Sequence, residues 1–156
     1  MSQWGSIGLK SQAGEQISQS NEKHFRNPKA DILLTRELVF VVDDDPSMLK
    51  GIKRLLREYG FDARPFASGD ALLRQGDFSK AFCAILDINL NGRSGIELRR
   101  DIANKDSRLP VIFITGNDSD ANRSAAIEAG CIAYLTKPFS ARSLIEPVER
   151  AHAEMT

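Results

Sequence analysis

The sequence predicts an α/β fold, a doubly wound parallel sheet covered by helices on both faces, and three observations lead there. Short apolar runs of strand character alternate with helical patterns from Leu38 to the end of the chain. Such alternation needs crossover connections, which are right-handed and return each strand parallel to the last. The runs Leu38–Val42, Phe82–Leu86 and Val111–Thr115 are almost continuously apolar, as expected of central strands buried on both faces. Helix-start residues follow several of the runs.

The first run, Leu38–Val42, leads into a helix that Asp45 caps and Pro46 opens. Met48, Ile52, Leu55, Leu56 and Tyr59 fall on one stripe of that helix and are expected to face the sheet, while Leu49 lies off it. Ala63–Phe66 is the second run, with Ser68 at the cap of the next helix. Phe82–Leu86 precedes a helix over Gly95–Asn104, and Val111–Thr115 precedes one from Ser119 to Ala129. Ile132–Leu135 is the last run, followed by a helix from Ala141 with Ser140 before it. Pro147 lies inside that helix and removes a backbone donor, so a kinked or late-starting final helix is predicted.

Ahead of the first run, Met1–Arg36 is rich in Ser, Gln, Asn, Gly and Lys and lacks apolar periodicity. Residues 1–37 are expected to be a disordered extension, and 38–156 one domain. Ile32, Leu33 and Leu34 break the polar character and suggest a lead-in to the first strand; Trp4 is a candidate anchor.

With 156 residues and 42% apolar content, one ordinary core is expected. Lys plus Arg and Asp plus Glu both number 21, so no bulk positive field exists for nucleic acid or an anionic membrane. No run approaches the roughly 18 apolar residues of a membrane span, and no signal-peptide core is visible. A cytoplasmic protein is expected. Cys83 and Cys131 each sit in an apolar stretch, which suits reduced, buried thiols better than a disulfide or a metal site.

In open parallel sheets ligands bind beyond the carboxyl ends of the strands, where strand order reverses. Asp43 and Asp44 follow the first run, Asp87 the third, Thr115 ends the fourth, and the fifth continues to Lys137 before Pro138. Carboxylates crowded together repel by roughly 4 kcal/mol per close pair at an effective dielectric near 20, unless a cation or proton intervenes. A positive group is therefore expected at that edge. Singly, these residues have duller roles: a solvated turn, a loop acid, a strand threonine, a surface lysine. Their joint arrangement at successive strand ends points to a site.

The stretches VVDDDPS, ILDINL, ITG and LTKPF, in this order, resemble response regulator receiver domains, and the likeness runs from Leu38 to about Ala153. The resemblance implies a flavodoxin-like (βα)5 sheet of order 2-1-3-4-5. It implies that Asp87 is the nucleophile that takes a phosphoryl group from a sensor histidine kinase or a histidine phosphotransfer protein. By the same resemblance a hard cation, Mg²⁺ or Mn²⁺, is held directly by Asp44 and Asp87, by the backbone carbonyl of Asn89, and by Asp43 through water. Lys137 would pair with one phosphoryl oxygen and Thr115 bond another, with Gly116 leaving room. Tyr134 would change rotamer as Thr115 moves, and Asn89 and Asn117 would influence hydrolysis of the phosphoryl group. No enzymatic activity is expected beyond self-directed phosphotransfer and autodephosphorylation. The fourth helix, fifth strand and fifth helix would contact a downstream protein, and Leu49 on the first helix is a candidate kinase contact. Homodimerisation on phosphorylation stays open.

The chain departs from the family in the loop after Asp87. Asn91 and Arg93 stand where the family carries Pro and then Met two residues later, while Gly92 and Gly95 are retained. Losing the proline is expected to loosen that loop. Arg93 either aids phosphoryl binding or points to solvent. The chain ends just past the fifth helix, so a stand-alone receiver without an output domain is expected. Two alternatives remain: a phosphorylation-independent pseudo-receiver that serves as a protein-binding module, and a flavin carrier on the same fold. Three acids in the first loop, Asp43 to Asp45, oppose the second because they would repel a flavin phosphate.

Overall fold

The computed structural model describes residues 37–106 and 108–155, so the expectations for Trp4, for Ile32–Leu34 and for an extension over 1–36 lie outside the described residues. The chain builds a five-stranded parallel sheet, β1 (Leu38–Val42), β2 (Asp62–Phe66), β3 (Ala81–Asp87), β4 (Val111–Thr115) and β5 (Ala133–Thr136), ordered β2-β1-β3-β4-β5. The order reverses between β1 and β3, which opens a crevice at their carboxyl ends. Between the strands run α1 (Pro46–Glu58), α2 (Gly69–Gln75), α3 (Gly95–Lys105), α4 (Asp120–Glu128) and, last, α5 (Ala141–Glu154).

Local chemistry sets each helix start. Asp45 accepts from the Ser47 amide at 2.9 Å ahead of Pro46, and Ser68, Ser119 and Ser140 accept from the amides of Ala71, Asn122 and Ser143 at 3.0–3.1 Å. Each such cap satisfies a donor that would otherwise be orphaned, worth about 1 kcal/mol. Ser94 caps α3 in the same way through the Ile96 amide.

The alternation of side chains along the strands divides the core in two. Phe40, Val42, Ala84, Leu86, Val111 and Phe113 point to one face, where Leu72 of α2, Ile96, Leu98 and Ile102 of α3, and Ala126 of α4 cover them. Val39, Val41, Cys83, Ile85, Ile112 and Ile114 point to the other, under Ile52 and Leu56 of α1 and Leu144, Ile145, Val148 and Ala151 of α5. The central strands are buried on both faces, as their unbroken apolar runs predict; β2 and β5, at the edges, are largely exposed or half-buried. Burial pushes the Cys83 thiol up to about 12, so it behaves as a core residue. Cys131 is only half-buried, contrary to the expectation, because it lies in the turn between α4 and β5.

Three further expectations are corrected. Tyr59 does not face the sheet: it caps the end of α1 and is exposed, whereas Leu49 packs half-buried against the same core as Ile52. The final helix does not start late, since α5 begins at Ala141 and continues across Pro147. Pro147 is buried in the stripe of Leu144, Ile145, Val148 and Ala151, whose packing holds the helix despite one missing donor. Nor is the loop after Asp87 left loose. Asn89–Leu90 and Arg93–Ser94 pair antiparallel across a two-residue Asn91–Gly92 turn, with Gly92 at φ 86°, where a side chain would be strained.

Gly95 locks this hairpin to the strand end. Its amide donates to the Ile88 carbonyl at 2.8 Å, and a Cβ placed on it would lie 2.2 Å from the Asp87 carbonyl oxygen. Backbone cannot yield as a flexible side chain does. Gly95→Ala is expected to lower the unfolding free energy by about 2–3 kcal/mol, measured by urea denaturation, while Gly51→Ala, where nothing lies within 4 Å, stabilises α1 by a few tenths to about 1 kcal/mol.

Candidate functional site

The crevice at the carboxyl edge collects the side chains that the sequence places at strand ends. Asp43, which follows β1, is fully buried, and Asp87, which ends β3, is 4% exposed. One carboxylate oxygen from each of Asp43, Asp44 and Asp87 lies within 4.8 Å of the others. The Lys137 ammonium reaches across from the end of β5 and donates to Asp43 Oδ2 at 2.9 Å and to Asp87 Oδ2 at 3.1 Å. The Lys137 amide donates to the Thr115 carbonyl at 2.8 Å, which holds the residue beside the end of β4.

Backbone amides hold the other oxygens. Asp43 Oδ1 accepts from the Asp45 amide at 2.9 Å, Asp87 Oδ1 from the Asn89 amide at 3.0 Å, and Asp44 Oδ2 from the Asn91 amide at 3.2 Å. The Asn91 contact ties the acidic turn after β1 to the hairpin after β3. It orients Asp44 toward the crevice.

Charge is not balanced in this pocket. Burial pushes the Asp87 carboxyl above its ordinary value, and this outweighs the Asn89 amide and the Lys137 ammonium, which favour the anion; the neighbouring Asp43 adds to the rise. Burial also lowers the Lys137 ammonium, but its bonds to Asp43 and Asp87 outweigh that and hold it above the usual lysine value. Lys137 is therefore charged at neutral pH. One ammonium faces three carboxylates, so the pocket attracts a further cation. The donors are hard anionic oxygens, the set that suits Mg²⁺, Mn²⁺ or Ca²⁺ and not a soft metal.

Thr115 is fully buried at the end of β4, and its hydroxyl donates to Asn89 Oδ1 at 2.9 Å while accepting from the Asn117 amide at 3.0 Å. Thus Asn89, Thr115 and Asn117 form one chain of hydrogen bonds beside Asp87. Next to Gly116, the nearest atom to an added Cβ is Lys137 Cδ at 3.9 Å, so space remains there. Tyr134 lies further along the edge, on β5, where its hydroxyl donates to Asp118 Oδ1 at 2.9 Å. Burial and the Asp118 carboxylate both push the Tyr134 phenol up.

Arg93 takes neither of the roles expected for it. Its guanidinium bonds Asp70 at the start of α2, at 3.2 Å, and Asp101 on α3, and its stem packs beside Gly69. Opposite charges on two helices engage it before either solvent or the crevice can. Three contributors were not visible as site residues in the sequence: Asn91, which acts through its backbone, and Asp118 with Arg123, which meet Tyr134. The Asn91–Gly92 pair was the one available signal, since Asn-Gly favours a two-residue hairpin.

Comparison with known proteins agrees with this geometry. The family model described as "Response regulator receiver domain" matches residues 39–149. Nodulation protein W of Bradyrhizobium diazoefficiens is 32% identical over 117 residues, covering 75% of this chain and 52% of that protein. Response regulator protein TmoT of Ectopseudomonas mendocina is 32% identical over 114 residues, covering 73% of this chain and 52% of that one. The chain thus spans about half the length of these relatives. A response regulator receiver domain protein from Clostridium thermocellum superposes with a TM-score of 0.71 at 27% identity, over 76% of this chain and 95% of that one. With the reversed parallel sheet, the acidic crevice and the lysine that bridges it, these matches establish that the chain belongs to the response regulator receiver domain family.

Proposed function

We propose that this receiver accepts a phosphoryl group on Asp87 from a phosphohistidine of a sensor histidine kinase or histidine phosphotransfer protein, and signals through protein contacts. The observation that carries this reading is the Lys137 ammonium, within hydrogen-bond reach of Asp87 in a pocket that keeps an excess of carboxylate. In the transfer, an Asp87 oxygen forms a bond to phosphorus while the phosphorus–nitrogen bond to the donor imidazole breaks. Lys137 places its positive charge where the phosphoryl oxygens gather. Thr115 has a hydroxyl already on a donor–acceptor chain and can exchange Asn89 for a phosphoryl oxygen.

Asp43, Asp44 and Asp87 fit a hard divalent ion by the closeness and chemistry of their oxygens, and the Asn89 carbonyl is a further candidate donor. Such an ion, when bound, offsets the repulsion between an anionic nucleophile and an anionic phosphoryl group. The chain's own residues supply the rest: Asp43 and Lys137 align Asp87, the Asn89 amide orients its second oxygen, and the hairpin fixes Asp44. Transfer of this kind is self-directed and makes the chain a phosphoacceptor, not an enzyme acting on other substrates. Readout through α4, β5 and α5 is consistent with Tyr134 and Thr115 standing where β4 and β5 meet α4. Among the described residues, no helix is long and apolar enough to cross a membrane.

Incubation with Mg²⁺ and a small acyl phosphate is expected to add one phosphoryl group, seen by intact mass. The gain should vanish in Asp87→Ala; persistence there would reassign the acceptor. Lys137→Ala is expected to slow the same uptake by about 10²-fold, the usual effect of removing one preorganised transition-state donor. In EDTA at neutral pH, Asp87→Asn is expected to be more stable than the wild type in urea denaturation, because burial and the neighbouring Asp43 hold the Asp87 carboxyl above its ordinary value. A carboxyl whose pKa is raised by folding costs stability at pH above that raised value and costs nothing below the unfolded value near 4. The advantage should therefore shrink on acidification.

A further inference from the structure

The described residues include one cluster beside the crevice that the transfer itself does not use. Tyr134 donates to Asp118 Oδ1, Arg123 of α4 bonds both Asp118 oxygens at 3.0–3.1 Å, and the Arg123 guanidinium carbon stands 4.6 Å from the Tyr134 ring centroid. Every pair in the triangle is in contact. Hydrogen bonding, ion pairing and cation–π attraction therefore support one another in a single geometry.

This triangle is mechanically joined to the crevice. Asp118 lies three residues after Thr115 in the β4–α4 loop, and the Asn117 amide between them donates to the Thr115 hydroxyl. Asn122 of α4 donates from its side chain to the Asn117 carbonyl at 2.8 Å, and Arg123 donates its amide to the Ser119 carbonyl at 2.9 Å. On the sheet, Phe113 pairs with Tyr134 and Thr115 with Thr136, so Thr115 and Tyr134 project from the same face of adjacent strands. If the Thr115 hydroxyl turns from Asn89 toward a phosphoryl oxygen, the Asn117 amide loses or follows its acceptor. Asp118, one residue on, is then pulled against Tyr134 and Arg123.

We propose that Asp118 and Arg123 are positioning residues that latch Tyr134 and the β4–α4 loop in the unphosphorylated arrangement, and so set how readily Thr115 turns to a phosphoryl group. The proposal rests on Asp87 being the phosphoacceptor. It adds to that reading a regulatory element built from three surface side chains, with Arg123 carrying the release into α4. Since Asp118 and Arg123 are about half exposed, each contact alone is weak, and the latch is releasable because of that.

The test is the affinity of the full chain for beryllium fluoride with Mg²⁺, a stand-in for the phosphoryl group, followed by ¹⁹F NMR in the wild type, Asp118→Ala, Tyr134→Phe and the double variant. Release of the latch should tighten binding about fivefold in each single variant, and the double variant should match the singles because the same contact is lost. Unchanged or weaker binding in the singles, or effects that multiply in the double, would overturn the latch. A cluster that only props the fold would lower the melting temperatures and leave the affinity where it was. Wild-type protein that binds no beryllium fluoride, or binds it as well as Asp87→Ala does, removes the phosphoacceptor reading and the latch with it. Wild-type binding that Asp87→Ala abolishes, with indifferent latch variants, removes the latch alone.

Discussion

One ammonium group holds this crevice together. Lys137 bridges Asp43 and Asp87 at 2.9 and 3.1 Å, and without it two buried carboxylates from neighbouring strands would face each other uncompensated. Breaking a buried pair by removing one partner typically costs 3–5 kcal/mol, because the remaining charge is left stranded. Yet the lysine cannot finish the neutralisation, because Asp44 adds a third negative charge. The imbalance has a consequence: a pocket left with uncompensated negative charge is prepared to bind a further cation. The rest of the domain serves to keep these four side chains at one edge. Parallel strands that run the same way bring their carboxyl ends to a common line, and the reversal of order between β1 and β3 opens room there.

Much of this was legible from the residues. Strand runs such as LVFVV and VIFIT declared their double burial by lacking alternation, and Asp45 and Ser68 declared helix starts through their capping chemistry. Asp43, Asp44, Asp87, Thr115 and Lys137 could be grouped because a parallel sheet leaves strand ends little choice of place. Side-chain partners were less legible. Arg93 illustrates the reason: its destination depends on Asp70 and Asp101, brought beside it by the packing of α2 on α3. Nothing in a linear pattern fixes that meeting. Tyr59 and Leu49 exchanged places for a related reason, since a stripe predicts a face but not where the helix ends against its neighbours.

The loop after Asp87 shows two local rules in competition. Replacement of a family proline argued for a looser segment, and that rule acts through the freedom of the unfolded chain. Asn91–Gly92 supplies a hairpin turn instead, and the pairs Asn89–Ser94 and Leu90–Arg93 close it. Because the Asn91 amide then reaches Asp44, the residue that stands in place of the proline ties the hairpin to the acidic turn. Gly95, whose amide donates to the Ile88 carbonyl at 2.8 Å, anchors the other end. The end of β3 and the acidic turn after β1 are thus linked through a backbone element that neither contributes.

Since the excess of carboxylate at this edge is the premise of the whole account, cation binding tests it most directly. Calorimetric titration of Mg²⁺ into the full chain, repeated with Asp44→Ala, should show one divalent site in the wild type that weakens by at least tenfold in the variant. Equal affinity in both, or no site in the wild type, would contradict the account.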